Sequence, residues 1–237
     1  MRGVVNKIIS KIKGAPFVFD AAIPSYYIFR LFFSKIFCGL FGILVFRRCT
    51  RVFFHRTSTV KCRSKIRFGR NLSIDRYCYI DALSTDGIVF GENVSIGKYT
   101  TIECTGTLTN IGKGLVVGSR TGLGTHGFFG CAGGVVIGSD TIFGNYVSIH
   151  SENHNFNELS IPIRCQGVNR KGIVIGNNCW IGAKATILDG SKIGNGCVIA
   201  AGAVVIGEFP DNSVVGGVPA KIIKYRNDQS GFHTLAE

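Results

Sequence analysis

Aliphatic residues recur at every sixth position through Ile175, Ile181, Ile187, Ile193, Ile199 and Val205. An amphipathic helix repeats near 3.6 residues and a half-buried strand repeats at 2. A strict period of six fits neither. It fits a coil of short strands joined by tight corners, in which each aliphatic enters a narrow shared core. Glycines follow at Gly176, Gly182 and Gly194, where a corner needs dihedrals that a Cβ resists. Four residues after each aliphatic comes a small one, at Cys179, Ala185, Ser191, Cys197 and Ala203. Self-similarity of this length predicts a parallel β-helix of hexapeptide repeats.

The same ladder extends toward the N-terminus. Its expected inward positions are Phe68, Ile74 and Ile80, then Phe90, Ile96 and Ile102. They continue at Ile111, Val117, Leu123 and Phe129, and at Ile137, Phe143 and Ile149. Phase breaks fall at 83–89, around Thr107–Asn110 and at Cys131–Val136. With three repeats per triangular turn, the spacing predicts roughly six coils starting near Phe68. From Ile149 to Ile175 the interval is 26 residues, 20 more than the repeat allows. Residues 151–172 therefore leave the ladder as a polar excursion with clustered His, Asn and Glu. Long loops on rigid scaffolds tend to carry function.

Three regions follow. Residues 1–65 form a basic, Phe-rich helical segment, residues 66–226 the β-helix with its excursion, and residues 227–237 a tail. Residues 1–70 hold 15 Lys and Arg against one acid, Asp20, a net +14. The rest of the chain is close to neutral, so the overall +13 belongs to the N-terminal segment. Such asymmetry points to an anionic partner. Within 25–48, Ser25 is a possible N-cap, and Arg47 and Arg48 suit a helix C-terminus. The strongly apolar part, Leu31–Phe46, is shorter than the ~20 residues of a spanning helix. That favours a helix lying on a membrane over one that spans it or one buried on the ladder or a neighbour. A bare end of a β-helix also needs a cap. The basic residues alternate with Phe and Ile and carry no recognition motif, so nucleic acid is not an expected partner. Nine cysteines without a C-x-x-C pair or zinc spacing, several of them in repeat slots (Cys78, Cys179, Cys197), predict a reducing cytoplasm and no metal.

The segments NCWIGAKATILDG, IGNGCVIAAGAVV and GGVPAKII together resemble the left-handed β-helix acetyltransferases. With the excursion YVSIHSENHNF and IPIRCQG, the resemblance is to the capsular and exopolysaccharide O-acetyltransferases, over about residues 66–226. It implies a homotrimer with active sites between subunits, acetyl-CoA lying along the ladder, and a His of the excursion as base. The matching residue is His154. Glu152 is a candidate to orient it, with Asn153 and His150 in support. His126 occupies a stretch where relatives carry an acceptor-binding Asn; it either faces the cleft or packs at a corner. On the acetyl-CoA side, Ala183 matches a backbone N–H facing the thioester. Ala201 and Gly202 match the pantetheine surface, and Trp180 a Trp flanking that tunnel or a core-edge Trp. Pro219 and Lys221 match positions near adenine and phosphates, and Lys224 could add charge. Relatives often place a Lys where this chain has Gly207.

Acetyl transfer from a thioester to a sugar hydroxyl needs a base and an oxyanion donor, which a neutral His and a backbone N–H can supply. The expected function is O-acetylation of a cell-envelope glycan or its lipid-linked precursor, at the inner face of the cytoplasmic membrane. N-acetylation of an amino-sugar nucleotide is the main alternative. A metal-dependent hydratase is disfavoured by five His, two of which, His55 and His233, lie outside the ladder. A non-catalytic scaffold remains a third possibility.

Overall fold

The computed structural model describes residues 2–13, 16–47 and 51–227. Two helices, α1 (Arg2–Lys13) and α2 (Ser25–Phe46), precede a left-handed parallel β-helix. Its strands form three sheets, the faces of a triangular coil. The second and third faces each hold seven parallel strands, one per coil. The first face holds those of Val52–Phe54 through Val198–Ile199, then Ser213–Gly217. Ala220–Tyr225 folds back antiparallel on that last strand and closes the sheet.

The period of six is a register rule. Ile149 lies over Phe129 on one side and Ile187 on the other, and Ile187 lies over Val205. All four are essentially inaccessible to solvent. Their neighbours along each strand point outward, because side chains alternate across a strand. Cys78, Cys179 and Cys197 are buried at the small positions, as small hydrophobes would be.

Three corners join the faces. At the third, Asn71, Asn93, Asn178 and Asn212 turn the chain with φ between 55° and 62°. Asn is among the few non-glycine residues that adopt this left-handed conformation readily. At the first corner the positive φ falls on Tyr77, Tyr99, His126, Tyr146 and Lys184. There the rings stack in a column, with centroids 5.0 Å apart for Tyr77–Tyr99, 4.8 Å for Tyr99–His126 and 4.7 Å for His126–Tyr146. Stacking of this kind offsets part of the backbone cost. The second corner carries the excursions.

Several expectations are corrected. The first coil is Val52–Phe54, Thr59–Lys61 and Ile66–Phe68, so the ladder starts before residue 66 and makes seven coils. Six of the outward or corner residues there are Arg or Lys, which masks the inward Phe54 and Val60. Ile111 is not a ladder residue; it lies in a small hairpin, Gly106–Thr107 with Asn110–Ile111, and is exposed. The third-face strand of that coil is Gly114–Val117, with Leu115 and Val117 buried. Helix α2 fills the expected segment over Ser25–Phe46, and as a whole it is long and apolar enough to cross a membrane. Its N-cap is Pro24, not Ser25. Arg47 ends it with φ 50°, donating its N–H to Ile43 O at 2.8 Å. Arg48 and most of the expected tail lie outside the described residues.

The inner face of α2 covers the open end of the coil. Phe46 packs edge-on against Phe54 and Phe68, and Phe41 stacks on Phe54. Gly42 sits so close to the Val52 carbonyl that a Cβ would collide with it.

Ile187→Ala should lower the stability of the coil by about 2–5 kcal/mol, the cost of a cavity in a packed core. Ser95→Ala, on the solvent side of the first face, should change it by less than about 0.5 kcal/mol. Urea denaturation followed by circular dichroism measures both, and equal losses would contradict the inward register.

Candidate active site

The longest excursion leaves the second face after strand Ser148–His150. Ile149 points inward, which turns Ser148 and His150 outward. Their side chains share a 2.6 Å hydrogen bond between Ser148 Oγ and His150 Nε2. The His150 ring also leans on Phe128, centroid to centroid 5.4 Å. Burial lowers the His150 pKa, so its neutral form is favoured.

Both ends of the excursion are anchored. At departure, buried Ser151 donates its hydroxyl to Gly130 O at 2.8 Å and accepts from Gly133 N–H at 2.9 Å. At return, the Asp189 carboxylate, 4% exposed, accepts from the N–H groups of Lys171 and Gly172 at 2.8–3.0 Å. Between them Arg170 Nε donates to Glu152 Oε2 at 2.6 Å. The two side chains are only 16% and 27% exposed. The same guanidinium donates to Asn110 Oδ1, Asn110 O and Ile111 O at 3.0–3.2 Å, tying the excursion to the small hairpin two coils earlier. Further out, Gln166 Nε2 donates to Glu158 O and Ile161 O at 2.7 Å and holds the tip.

His154 lies on the stem of this excursion. Asn153 and His154 pair antiparallel with Asn169 and Val168. The imidazole is exposed, and no side chain among the described residues hydrogen-bonds it. Glu152 therefore does not orient His154 as expected; its carboxylate is engaged by Arg170, which the repeat pattern does not pair with it. Asn153 is likewise exposed on the stem. His126 belongs to the first-corner stack between Tyr99 and Tyr146, with Nδ1 3.1 Å from Thr125 Oγ1.

The other candidates gather elsewhere. Trp180 projects from the first face between Ile142 and Val198, 54% exposed. Ala183 is at the first corner, where a Cβ on Gly144 would come 2.6 Å from its nitrogen. One coil further, Gly202 donates its N–H to Ala183 O at 2.9 Å, and open space lies beside it. Ala201 is exposed next to it. The closing hairpin continues this edge, with Pro219 in its turn and Lys221 and Lys224 on its return strand. His154 at the second corner and Ala183 at the first are thus separated by the second face of the same chain. No three His, Cys, Asp or Glu side chains converge among the described residues.

Arg170, Asp189, Ser151 and Gln166 are the supporting residues that sequence reading missed. Only Asp189 left a signal, a carboxylate at the corner directly after the inward-facing rung of Ile187.

Residues 172–207 match the family described as bacterial transferase hexapeptide (six repeats). Over 103 residues the chain is 36% identical to WbbJ of Escherichia coli, provisionally a lipopolysaccharide biosynthesis O-acetyl transferase; this covers 40% of the chain and 53% of WbbJ. It is 35% identical over 101 residues to a galactoside O-acetyltransferase of Lactococcus lactis, covering 42% and 47%. The chain thus spans about half the length of these curated relatives. Among solved structures, a point mutant of AntD, an N-acyltransferase from Bacillus cereus in complex with dTDP and coenzyme A, aligns with TM-score 0.50 at 19% identity. That alignment covers 76% of this chain and 83% of AntD, and it speaks for the fold.

Arg170→Ala should loosen the excursion while leaving the coil intact. Loss of charge-assisted hydrogen bonds predicts at least about tenfold faster amide exchange across 152–155. Unchanged exchange would show that the ion pair does not hold the stem.

The lowered pKa of His150 fixes a sign. As pH falls through about 6.5, the unfolded chain takes up the proton before the folded chain does. Stability therefore drops in that window, and stops dropping below the folded-state value. His150→Gln should reduce the loss of melting temperature between about pH 7 and pH 5; an equal loss would refute it.

The hexapeptide repeat of residues 172–207, and the coil it builds, are what this chain shares with the bacterial transferase hexapeptide family.

Proposed function

We propose that the chain transfers an acetyl group from acetyl-CoA to a hydroxyl of a cell-envelope glycan, or of its lipid-linked precursor, in the cytoplasm. The observation that carries this reading is the exposed His154, held on a stem whose two ends are anchored by Ser151 and by Asp189. The acceptor oxygen bonds to the thioester carbonyl carbon as His154 takes its proton. The C–S bond then breaks, and the proton passes to the departing sulfur. Ala183 N–H would face the oxyanion formed between these steps.

The strip of Ala183, Ala201 and Gly202 suits a pantetheine chain, since Gly202 has no atom within 4 Å of where a Cβ would stand. Trp180 would flank it, with Pro219, Lys221 and Lys224 toward the nucleotide end. Gly207 offers no cation, so phosphate contacts fall to the hairpin lysines.

His154 and this strip sit at different corners, which supports a homotrimer in which one copy's His154 meets its neighbour's strip. Two surfaces suit such contacts. The third face presents a column of outward valines, Val116, Val136 and Val174, and the excursion tip exposes Phe156, Leu159 and Ile163. Relatives named as O-acetyltransferases favour a hydroxyl acceptor. An amine acceptor would use the same base, and acceptor profiling with labelled acetyl-CoA separates the two.

His154→Ala should lower acetyl transfer by about 10²- to 10⁴-fold, the usual contribution of a positioned base, while acetyl-CoA binding persists. Transfer at the wild-type rate would remove His154 from the mechanism, and loss of acetyl-CoA binding in the wild type would favour a scaffold.

A further inference from the structure

Helix α2 has two apolar faces, and the coil uses one. Ile28, Lys35, Gly39, Gly42 and Phe46 fall on the inner side: Lys35 Nζ donates to Ser73 Oγ at 2.9 Å, Gly39 lies on the Phe53 ring, and Gly42 and Phe46 close the coil end. The opposite side should be polar in a water-facing helix. Instead Tyr26, Phe29, Phe33, Phe37, Leu40 and Leu44 form one stripe at helical spacing, all exposed, Phe37 at 68% and Leu44 at 71%. No other segment among the described residues covers it.

We propose that this stripe docks in the plane of an anionic lipid surface. Charge selects the occupant. The stripe is bordered by exposed Arg30 and Arg47, and the preceding amphipathic α1 exposes Lys7 and Lys11. Residues 1–70 carry +14, the combination of apolar aromatic face and basic flanks that binds acidic headgroups. A second copy on the same stripe would bring two such segments together and repel. The length of α2 alone would allow a span, but its packing does not. Contacts from Lys35 to Phe46 hold that half on the coil; only Ser25–Ser34 precedes them, and its Ile28 is itself buried. Ten helical residues reach about 15 Å, half of the ~30 Å hydrocarbon core.

Flotation of the full chain with vesicles of phosphatidylcholine and phosphatidylglycerol tests this, alongside phosphatidylcholine alone. Binding should require phosphatidylglycerol and weaken with salt. The triple variant Phe33→Ser, Phe37→Ser, Leu40→Ser should bind at least about a hundredfold more weakly, from lost apolar insertion. Its coil should melt as wild type does. Absence of binding, or undiminished binding by the variant, overturns the proposal. A smaller assembly for the variant, without lipid binding by the wild type, assigns the stripe to a second copy. Retention of the cellular protein in alkali-washed membranes assigns it to a span. None of these readouts requires acetyl transfer, so they remain informative if the catalytic reading fails.

Discussion

In-register stacking of one coil on the next governs the structure. Each inward side chain has a neighbour of similar size directly above and below, as Ile149 has in Phe129 and Ile187. A slip of one residue would turn the buried set of a strand to solvent. Chain inserted into the coil must therefore leave and return without disturbing the rungs on either side. That requirement explains why the supporting polar residues concentrate at the feet of the excursions. Ser151 ties one foot of the long excursion to Gly130 and Gly133, and Asp189 closes the other on Lys171 and Gly172. A buried carboxylate is costly unless it is hydrogen-bonded, and Asp189 accepts several bonds from backbone N–H groups. The rigidity that displays His154 is thus a by-product of preserving register.

The first corner shows a second consequence of stacking. Every coil but the first turns there through a left-handed residue, and the column reads Tyr77, Tyr99, His126, Tyr146, Lys184, Gly202. A ring in this conformation is unfavourable alone, but a column of rings shares its faces. His126 is absorbed into that column as an aromatic. Below Tyr146 the rings give way to Lys184 and then to bare Gly202, with Ala183 and Ala201 beside them. The same corner is therefore filled by rings along its upper half and bare of them along its lower half.

What the sequence showed, it showed through period. From Ile74 to Val205 the inward residues are strictly spaced within each run, so the coil and its largest interruption were both legible. The first coil was hidden because Arg51, Arg56, Lys61, Arg63, Lys65 and Arg67 crowd its outward and corner positions. Ile111 looked inward because an aliphatic residue near the expected phase is indistinguishable from one in a hairpin until pairing is known. Glu152 was read beside its sequence neighbour His154, but its partner is Arg170, 18 residues away across the stem. No periodicity encodes such a contact. Similarly, an apolar run in α2 could not say which side the coil would take.

That last ambiguity is resolved by geometry, because cap and stripe are opposite sides of one helix. The side bearing Gly42 and Phe46 must meet the coil, since Val52, Phe54 and Phe68 would otherwise end the core in water. Burying it fixes the orientation of Phe33, Phe37 and Leu40, which cannot then turn inward. Helix α2 is bound to the first coil, so the stripe lies at the N-terminal end of the β-helix. In a ring of parallel copies every stripe would lie at that same end, around the axis. Such an arrangement would present basic, aromatic surface to one plane while leaving the excursions, two-thirds of the way down the coil, clear of it. Charge segregation along the chain then has a spatial meaning: the +14 of residues 1–70 is gathered at one end, and the near-neutral coils carry the candidate chemistry away from it.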